Sequence, residues 1–396
     1  MASIDTAQPA PTRRFSFNDP VFRGVFYQIL VGVLVVLFLT WIVNNTAANL
    51  QAQNKTSGFD FLGKTAGFDI SFSLFPWTRA SYYWEAFLVG LTNTILVAAI
   101  GIVLATILGF ALGIARLSSN FIIARLATVY IETIRNIPLL LQLFFWYFAV
   151  LKAMPAVRNS FALPFDIFIN QRGLFVPRPL PDDAFVWVWV AAAIAIVGWI
   201  ALRRWAKARL ERTGKRFPVF LTGLALSLAF IALVWVVSGA EVGFEPPVLN
   251  RFSFRGGLEL PPEFVALAFG LTIYTAAFIG ETVRGGILAV SHGQTEAAQS
   301  LGLKDSDRLR LVIVPQAMRV IVPPLTSQYL NLTKNSSLGA AIGYPELVNV
   351  FSGTALNQTG RAIEIIAMTM AVYLILSLLT SAIMNWYNSR VALVER

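Results

Sequence analysis

The sequence predicts an all-α integral membrane protein with about eight transmembrane helices. The 396 residues are 56% hydrophobic and 13% charged, whereas about a quarter of the residues in a typical soluble chain are charged. A helix that crosses a bilayer needs roughly 20 mostly apolar residues. Eight stretches meet this requirement: residues 25–43, 86–114, 124–150, 185–202, 217–237, 264–282, 309–330 and 362–386.

Two of these stretches are atypical. The first follows a leader of 24 residues and is nearly of full spanning length, so we interpret it as an uncleaved anchor rather than a signal peptide. Pro315, Pro323 and Pro324 interrupt the seventh stretch. Proline removes a backbone donor, and the freed carbonyls need partners inside a membrane. We therefore expect a bent or broken segment there, shielded by other helices.

The distribution of charge indicates the orientation of the chain. A net charge of +10 would suit a nucleic-acid partner, but the basic residues lie mainly in segments between apolar stretches, which favours a lipid bilayer and no nucleic acid. If the N-terminus is cytoplasmic, the cytoplasmic segments hold 18 of the 31 basic residues, seven of them within residues 203–216. This excess follows the positive-inside rule and predicts that both termini are cytoplasmic.

The chain lacks the residues that several kinds of enzyme chemistry need. The chain has no cysteine and a single histidine, His292, which excludes disulfides, thiol catalysis and a histidine-rich metal site. Residues 58–65 match the phosphate-loop pattern GxxxxGK[ST], but that chemistry requires a strand before the loop and a helix after it. The preceding residues are polar and the segment is predicted to be external, so we interpret it as a turn. His292 is interpreted as a loop residue without an adjoining acidic partner.

The segment after the sixth stretch carries the strongest functional signal. Residues 294–301 are predicted to form a short helix that Gly302 ends in the left-handed conformation. Asp305 or Ser306 is expected to cap the next helix. A short rigid helix on the cytoplasmic face is well shaped to dock in a groove of another protein.

The same segment closely resembles the EAA coupling loop of ATP-binding-cassette (ABC) importer permeases. The family pattern is Glu-Ala-Ala, three residues, Gly, nine residues, an aliphatic residue, one further residue, and then an aliphatic residue followed by Pro. The chain fits it at every spacing with Glu296, Ala297, Ala298, Gly302, Val312, Val314 and Pro315. We place Glu296 in the first helical turn, where its charge suits the helix dipole, and interpret the two alanines as a small apolar knob. The resemblance implies that this loop docks on an ATPase subunit.

The resemblance extends to the polar amino-acid uptake permeases and covers about residues 88–150 and 264–389. It is carried by Thr92-Asn93-Thr94 and by residues 132–138, 323–326 and 331–338. It implies a five-helix type I ABC importer-like core, and the additional N-terminal helix and inserted helix pair resemble the long form of general L-amino-acid permeases. The implied regions are 1–24 (cytoplasmic tail), 25–84 (additional helix and external loop), 85–151 (first part of the core), 152–261 (insertion with an external loop and two helices) and 262–396 (second part with the coupling loop).

Polar residues inside the apolar stretches are candidates for the transport path, because ionisable groups in a bilayer usually face the bundle interior or water. Glu132 with Arg135, and Glu281 with Arg284, lie three residues apart and are expected to pair on one helix face. These pairs either form part of a cytoplasmic gate or anchor helix ends at the interface. The residues expected to line the substrate path, or alternatively to join helices by hydrogen bonds, are Gln142, Gln328, Asn331, Lys334, Asn335 and Ser336.

One departure from the related permeases bears on the substrate. Many family members have Asp where this chain has Asn335, so a negative charge is missing. Lys334 offers a positive charge for a substrate carboxylate, and Asn335 offers both a donor and an acceptor. Asp would favour cationic substrates, so Asn335 predicts a broad range that includes neutral and acidic amino acids.

The resemblance implies a permease of the bacterial inner membrane that binds no cofactor itself. ATP and Mg would be bound by a partner ATPase dimer, and the other expected partners are a second, related permease and a periplasmic amino-acid-binding protein. One alternative is an ion-coupled secondary amino-acid transporter, but inverted repeats and a membrane-embedded carboxylate are not evident. The other is a membrane enzyme, for which no catalytic cluster is evident.

Overall fold

The computed structural model describes residues 20–52, 58–214, 217–250 and 253–391. The predicted tail up to residue 19, with Arg13 and Arg14, lies outside the described residues, as do Lys215, Arg216 and Arg396. The α-helices of the described ranges are α1 (Pro20–Ala52), α2 (Tyr83–Arg116), α3 (Phe121–Asn136), α4 (Leu139–Phe144), α5 (Val186–Thr213), α6 (Val219–Ser238), α7 (Pro262–Leu288), α8 (His292–Ser300), α9 (Asp305–Arg308), α10 (Val314–Asn335), α11 (Leu356–Thr359) and α12 (Ala362–Val391).

The predicted number of membrane-spanning segments is confirmed. Within the described ranges, seven helices are long and apolar enough to cross a membrane, and a bent pair, Phe121–Asn136 with Leu139–Leu151, makes up to eight. The helix α5 continues to Thr213, so most of the basic segment 203–216 is helical rather than a loop.

The third predicted stretch, 124–150, is not one continuous helix. It bends by 105° between α3 and α4. Ile137 is extended, at φ −102° and ψ 128°, because the residue before a proline is pushed out of the helical region by Pro138. The side chain of Gln142 donates from Nε2 to the carbonyl oxygens of Ile134 and Ile137, both at 2.9 Å. Gln142 therefore satisfies carbonyls that the break leaves without helical partners.

The seventh stretch is irregular beside one of its three prolines. A π-helical turn, Leu309–Ile313, lies directly before Pro315 in the first turn of α10. A proline removes a backbone donor, which fits the irregular helix at this position. The helix α10 is continuous through Pro323 and Pro324, so the chain is not broken at these two residues.

The helix α7 is the centre of the bundle. Of the residues in its most apolar stretch, 72% are buried, against none in α1. It packs most extensively against α2 and also contacts α3, α4 and α10, while α12 packs on α10. The five-helix core that the resemblance implied thus consists of α2, the α3–α4 pair, α7, α10 and α12.

Two glycines set the distance between α2 and α7. A Cβ atom at Gly109 would lie 2.6 Å from the Cβ of Ile279, and one at Gly113 would lie 2.7 Å from the carbonyl oxygen of Gly280. Both separations are shorter than real contacts allow, so only glycine lets the backbones approach this closely. Gly109 and Gly113 have the GxxxG spacing that is typical of close helix packing in membranes.

The turn that follows α10 is tied to α2 through the Thr92-Asn93-Thr94 motif. Asn93 donates from Nδ2 to the carbonyl oxygens of Phe72 and Pro345, both at 2.9 Å. Thr94 accepts from the Leu347 backbone N–H at 3.1 Å. The buried Glu346 accepts from the backbone N–H groups of Val348 and Asn349 and from the Tyr373 hydroxyl. The motif that carried part of the family resemblance is therefore a structural junction.

The insertion adds short strands that the all-α prediction did not include. They are β1 (Phe161–Leu163), β2 (Ile167–Asn170), β3 (Gly173–Val176), β4 (Arg178–Pro181), β5 (Val242–Glu245), β6 (Val248–Asn250), β7 (Ser253–Arg255) and β8 (Leu258–Leu260). They form an antiparallel sheet β1-β2-β3-β8 and the pairs β4–β5 and β6–β7. Strands from both sides of the α5–α6 hairpin pair with each other, for example Leu174 with Leu260. Strand pairing thereby joins the two ends of the insertion.

Candidate functional site

The predicted coupling loop forms a short helix with a well-defined end. The helix α8 starts at His292, two residues before the predicted start. Gly302 has φ +72°, its N–H donates to the Gln299 carbonyl at 2.8 Å, and the Leu303 N–H donates to the Ala298 carbonyl at 3.1 Å. These two bonds make a Schellman motif, which confirms the predicted role of Gly302 as the residue that ends the helix.

Three details of this loop differ from the prediction. Since α8 begins at His292, Glu296 lies beyond its first turn, and its carboxylate is 3.0 Å from the His292 Nδ1. The histidine therefore does have an acidic neighbour, one helical turn away. The N-cap of α9 is Lys304, without a side-chain hydrogen bond, and Asp305 instead pairs with Arg308 at 2.9 Å. Neither Asp305 nor Ser306 caps the helix.

The two alanines of the loop face opposite ways. Ala298 is 3% exposed and packs inward, whereas Ala297 is exposed together with Glu296. Leu301 is 80% exposed at the end of the helix. A hydrogen bond of 3.1 Å from Gln316 to Gln294 joins α8 to the first turns of α10, next to Pro315. One face of α8 is thus anchored to the bundle and the other is open.

A cluster of charged residues joins three helices of the core. Arg116, the last residue of α2, contacts Glu281 of α7 and lies 2.7 Å from Glu132 of α3. Arg284 pairs with Glu281 at 2.7 Å, as predicted. Arg116 is only 16% exposed, so these ion pairs are partly shielded from solvent. Residues 132–135 and 281–284 share the sequence Glu-Thr-x-Arg, and the glutamates of both therefore meet at Arg116.

Arg135 does not pair with Glu132, which was the expectation from their spacing. Its guanidinium lies over the ring of Phe278 in α7, 5.2 Å from the ring centre. Glu132 pairs with Arg116 instead. The packing of α3 against α2 and α7 brings the Arg116 guanidinium within reach of the Glu132 carboxylate.

Phe278 also lines a small polar cavity between α7 and α10. This cavity has a volume of about 280 Å³, near the lower limit for small-molecule sites. Its lining residues come from α7 and α10: Tyr274, Thr275, Phe278, Gln328, Asn331 and Asn335. The structure thus brings together three of the residues predicted to line the substrate path, and it surrounds them with uncharged groups.

The other predicted path residues lie elsewhere. Lys334 is exposed and does not line this cavity, and it forms no ion pair with the described residues. Ser336 is fully buried and donates to the Thr333 carbonyl at 2.7 Å. Gln142 uses its amide nitrogen at the bend between α3 and α4, and its Oε1 has no partner among the described residues.

Residues 58–65 form a turn, as predicted. Asp60–Gly63 is a single 3-10 turn, and the buried Phe61 packs among Tyr83, Phe351 and neighbouring apolar residues. The Lys64 side chain lies 3.3 Å from the Asp60 carboxylate, which also pairs with Arg361 at 2.9 Å. These contacts attach the turn to the core.

Sequence reasoning missed four residues of these sites. Arg116 was used only in the count of basic residues that indicated the orientation. A cation at the end of one apolar stretch, together with a Glu-Thr-x-Arg sequence in each of two others, was a usable signal. Tyr274, Thr275 and Phe278 lie in an ordinary apolar stretch, and nothing in their pattern separates them from core residues. Their position opposite the amides of α10 is a result of helix packing.

A bundle of membrane-spanning helices with a small polar cavity and a short helix that is exposed on one face is typical of a transport subunit. The family model described as "Binding-protein-dependent transport system inner membrane component" matches residues 213–393. The General L-amino acid transport system permease protein AapQ of Rhizobium johnstonii is 52% identical over 97% of this chain and 96% of its own length. The chain therefore belongs to the family of ABC transporter permeases of binding-protein-dependent systems.

Two further relatives agree with this assignment. The Putative amino-acid ABC transporter permease protein YhdX of Escherichia coli is 50% identical, over 96% of this chain and 97% of the relative. The Glutamate/glutamine/aspartate/asparagine transport system permease protein BztB of Rhodobacter capsulatus is 40% identical, over 96% of each chain. Membership of this family implies an ATPase and a binding protein as partners, and it leaves the alternative of a secondary transporter without support.

The charge cluster should contribute to stability as a unit. Replacing Arg116 by Met leaves Glu132 and part of Glu281 without a cation, and we expect a loss of about 1–3 kcal/mol, since the cluster is only partly buried. Adding Glu281→Gln to Arg116→Met should cost less than the sum of the two single changes. Thermal unfolding of the purified chain in detergent measures both effects. The control Arg125→Met removes an exposed cation of α3 and should change little; equal losses in both arginine variants would contradict the role of Arg116.

Proposed function

We propose that this permease moves L-amino acids of a broad range into the cytoplasm, driven by ATP that is hydrolysed on a separate subunit. The observation that carries this proposal is the cavity between α7 and α10, lined by the amides of Gln328, Asn331 and Asn335. The names of the relatives point to the same class of substrate. In this proposal the chain binds no nucleotide or metal itself, and ATP with Mg is bound by the ATPase.

The chemistry of the cavity suits the common part of every amino acid. Each amide offers two N–H donors and one carbonyl acceptor, so the three side chains provide donors for a carboxylate and acceptors for an ammonium group. The Thr275 hydroxyl adds one more of each. Phe278 and Tyr274 provide apolar surface for a side chain. Because none of the lining groups is charged, the cavity does not select for the net charge of the substrate.

A change of charge at Asn335 should alter the preference among substrates. Asn335→Asp places a carboxylate in a partly desolvated cavity, where it attracts cationic side chains and repels anionic ones more strongly than in water. We expect the ratio of arginine uptake to glutamate uptake to rise at least about tenfold, which corresponds to 1.4 kcal/mol. Competition uptake in vesicles that contain the whole transporter measures this ratio. The control Lys334→Gln changes the charge of the neighbouring residue outside the cavity. An unchanged ratio in an active Asn335→Asp transporter would reject the proposed role of Asn335.

We also propose that α8 is the surface on which the ATPase docks. The support is its geometry: Ala298 anchors the helix, while Glu296, Ala297 and Leu301 are exposed. The helix lies only a few residues after the charge cluster at the end of α7. A movement of the ATPase that shifts α8 would therefore be transmitted to the helix that lines the cavity.

Disturbing the end of α8 should uncouple transport from ATP hydrolysis. Gly302→Val forces a β-branched residue into φ +72°, which costs of order 1–3 kcal/mol and remodels the helix end. We expect substrate-stimulated uptake to fall at least about tenfold while the chain remains in the membrane, and Glu296→Lys should act in the same direction. The control Gly360→Val imposes the same strain at φ +66° in a turn after α11. Full uptake in both loop variants, or equal loss in the control, would exclude the docking role.

The assembly that we propose pairs this chain with a second, related permease. The polar side chains of Ser327, Asn331 and Lys334 are exposed along one side of the membrane-spanning α10, and polar groups are costly when they face lipid. A second bundle that covers this side would enclose the cavity. The resemblance to the long form favours a heterodimer. Purification of an active transporter containing two copies of this chain and no other permease would overturn that choice.

For the orientation, we propose that both termini and α8 face the cytoplasm, as the excess of basic residues there supports. The chain has no cysteine, so single introduced cysteines report the side of the membrane directly. Lys64→Cys should react with a membrane-impermeant thiol reagent from outside intact cells, and Lys207→Cys should react only after permeabilisation. The reverse pattern would show that the orientation is wrong.

A further inference from the structure

A second cavity lies between the α5–α6 hairpin and the end of α12. It has a volume of about 740 Å³ and has no part in the substrate path described above. One part of its lining is basic, with Arg203, Arg204 and Lys207. Another part is apolar and aromatic, and includes Phe217 and Trp386.

The positive charge in this cavity is only partly compensated by the protein. Within the described part of the chain, Arg203 and Arg204 form no ion pair, and Lys207 pairs with Glu211 at 4.0 Å, with both side chains largely exposed. Their neighbour Arg209 behaves differently, because its guanidinium stacks on the rings of Trp205 and Phe217. Two of the three cations that line the cavity therefore lack an anion among the described residues, and the third has one long, exposed pair.

The cavity lies where the α5–α6 hairpin faces the core helix α12. The helix α5 makes its main helix contact with α6, so the hairpin packs chiefly on itself. Trp386 of the core helix α12 forms the facing wall. The basic residues follow directly after the apolar stretch 185–202, which places them at the border of the hydrocarbon region. We therefore expect the cavity to lie at the depth of the lipid headgroups.

We infer that this cavity binds an anionic phospholipid, with its phosphate against Arg203, Arg204 and Lys207 and its acyl chains along the apolar wall. Basic pockets between transmembrane helices are suited to such headgroups. A lipid fits better than free phosphate, because much of the lining is apolar and the site is open to the membrane. The bound lipid would connect the inserted hairpin to the core, which the protein itself does only weakly.

Native mass spectrometry of the full-length chain tests this inference. The chain is reconstituted in nanodiscs that contain equal amounts of phosphatidylglycerol and phosphatidylethanolamine, and the lipids retained after release are counted. We expect the wild type to retain phosphatidylglycerol selectively. The triple variant Arg203→Gln, Arg204→Gln, Lys207→Gln should retain at least about tenfold less, because each lost cation weakens the attraction to an anionic headgroup.

Two control variants test whether the loss of lipid comes from the cavity itself or from a general loss of charge or of folding. Arg23→Gln, Arg125→Gln, Arg212→Gln removes three cations outside the cavity lining and should retain the lipid like the wild type. Arg203→Lys, Arg204→Lys preserves the charge and should also retain it. Millimolar inorganic phosphate should not displace the lipid. Equal retention of the two lipids, equal loss in the control triple variant, or displacement by inorganic phosphate would each overturn the inference.

Discussion

The close approach of α2 to α7 is the contact on which the rest of the bundle depends. It is possible because Gly109 and Gly113 have no Cβ atom where Ile279, Gly280 and Val283 press against α2. In a membrane, where apolar side chains gain little from leaving lipid, such van der Waals contact between backbones is a main source of helix association. With α2 in place, α3 crosses both helices and Ile131 packs against Gly280. A larger residue at either glycine would push α2 and α7 apart.

This central position lets α7 combine three functional features in sequence. Tyr274, Thr275 and Phe278 line the polar cavity, Glu281 and Arg284 form the charge cluster one turn later, and α8 begins shortly after the end of α7. Phe278 lies three residues before Glu281, and the guanidinium of Arg135 lies over its ring. The proposed substrate contacts and the proposed docking surface are therefore connected through one largely buried helix.

The insertion differs from the core in how it packs. Its strands close on each other through β3–β8 and β4–β5. Its two membrane helices pack mainly on each other. The hairpin is thus a peripheral unit that strand pairing fastens at one end, and a basic cavity lies at its other end.

The amino-acid sequence by itself determined the membrane-spanning helices, the family and the short helix of the predicted coupling loop, because each depends on local information. Apolar length and the spacing from Glu296 to Pro315 are readable along the chain. Gly302 was also predictable, since the end of a helix is a local backbone problem. The break before α4 was in principle readable from Pro138, but the apolar stretch around it masked the effect of the proline.

Only the tertiary structure decided which polar groups meet. The spacing of Glu132 and Arg135 predicted a pair, but α3 crosses α2 so that Glu132 reaches Arg116 and Arg135 reaches Phe278. In the same way, Gln328, Asn331 and Asn335 share a cavity with residues of α7, while the adjacent Lys334 points out of it and Gln142 serves the bend of its own helix. The physical reason is that polar residues occur on several faces of one helix. Only the packing of neighbouring helices decides which of these faces lines a cavity or joins a charge cluster.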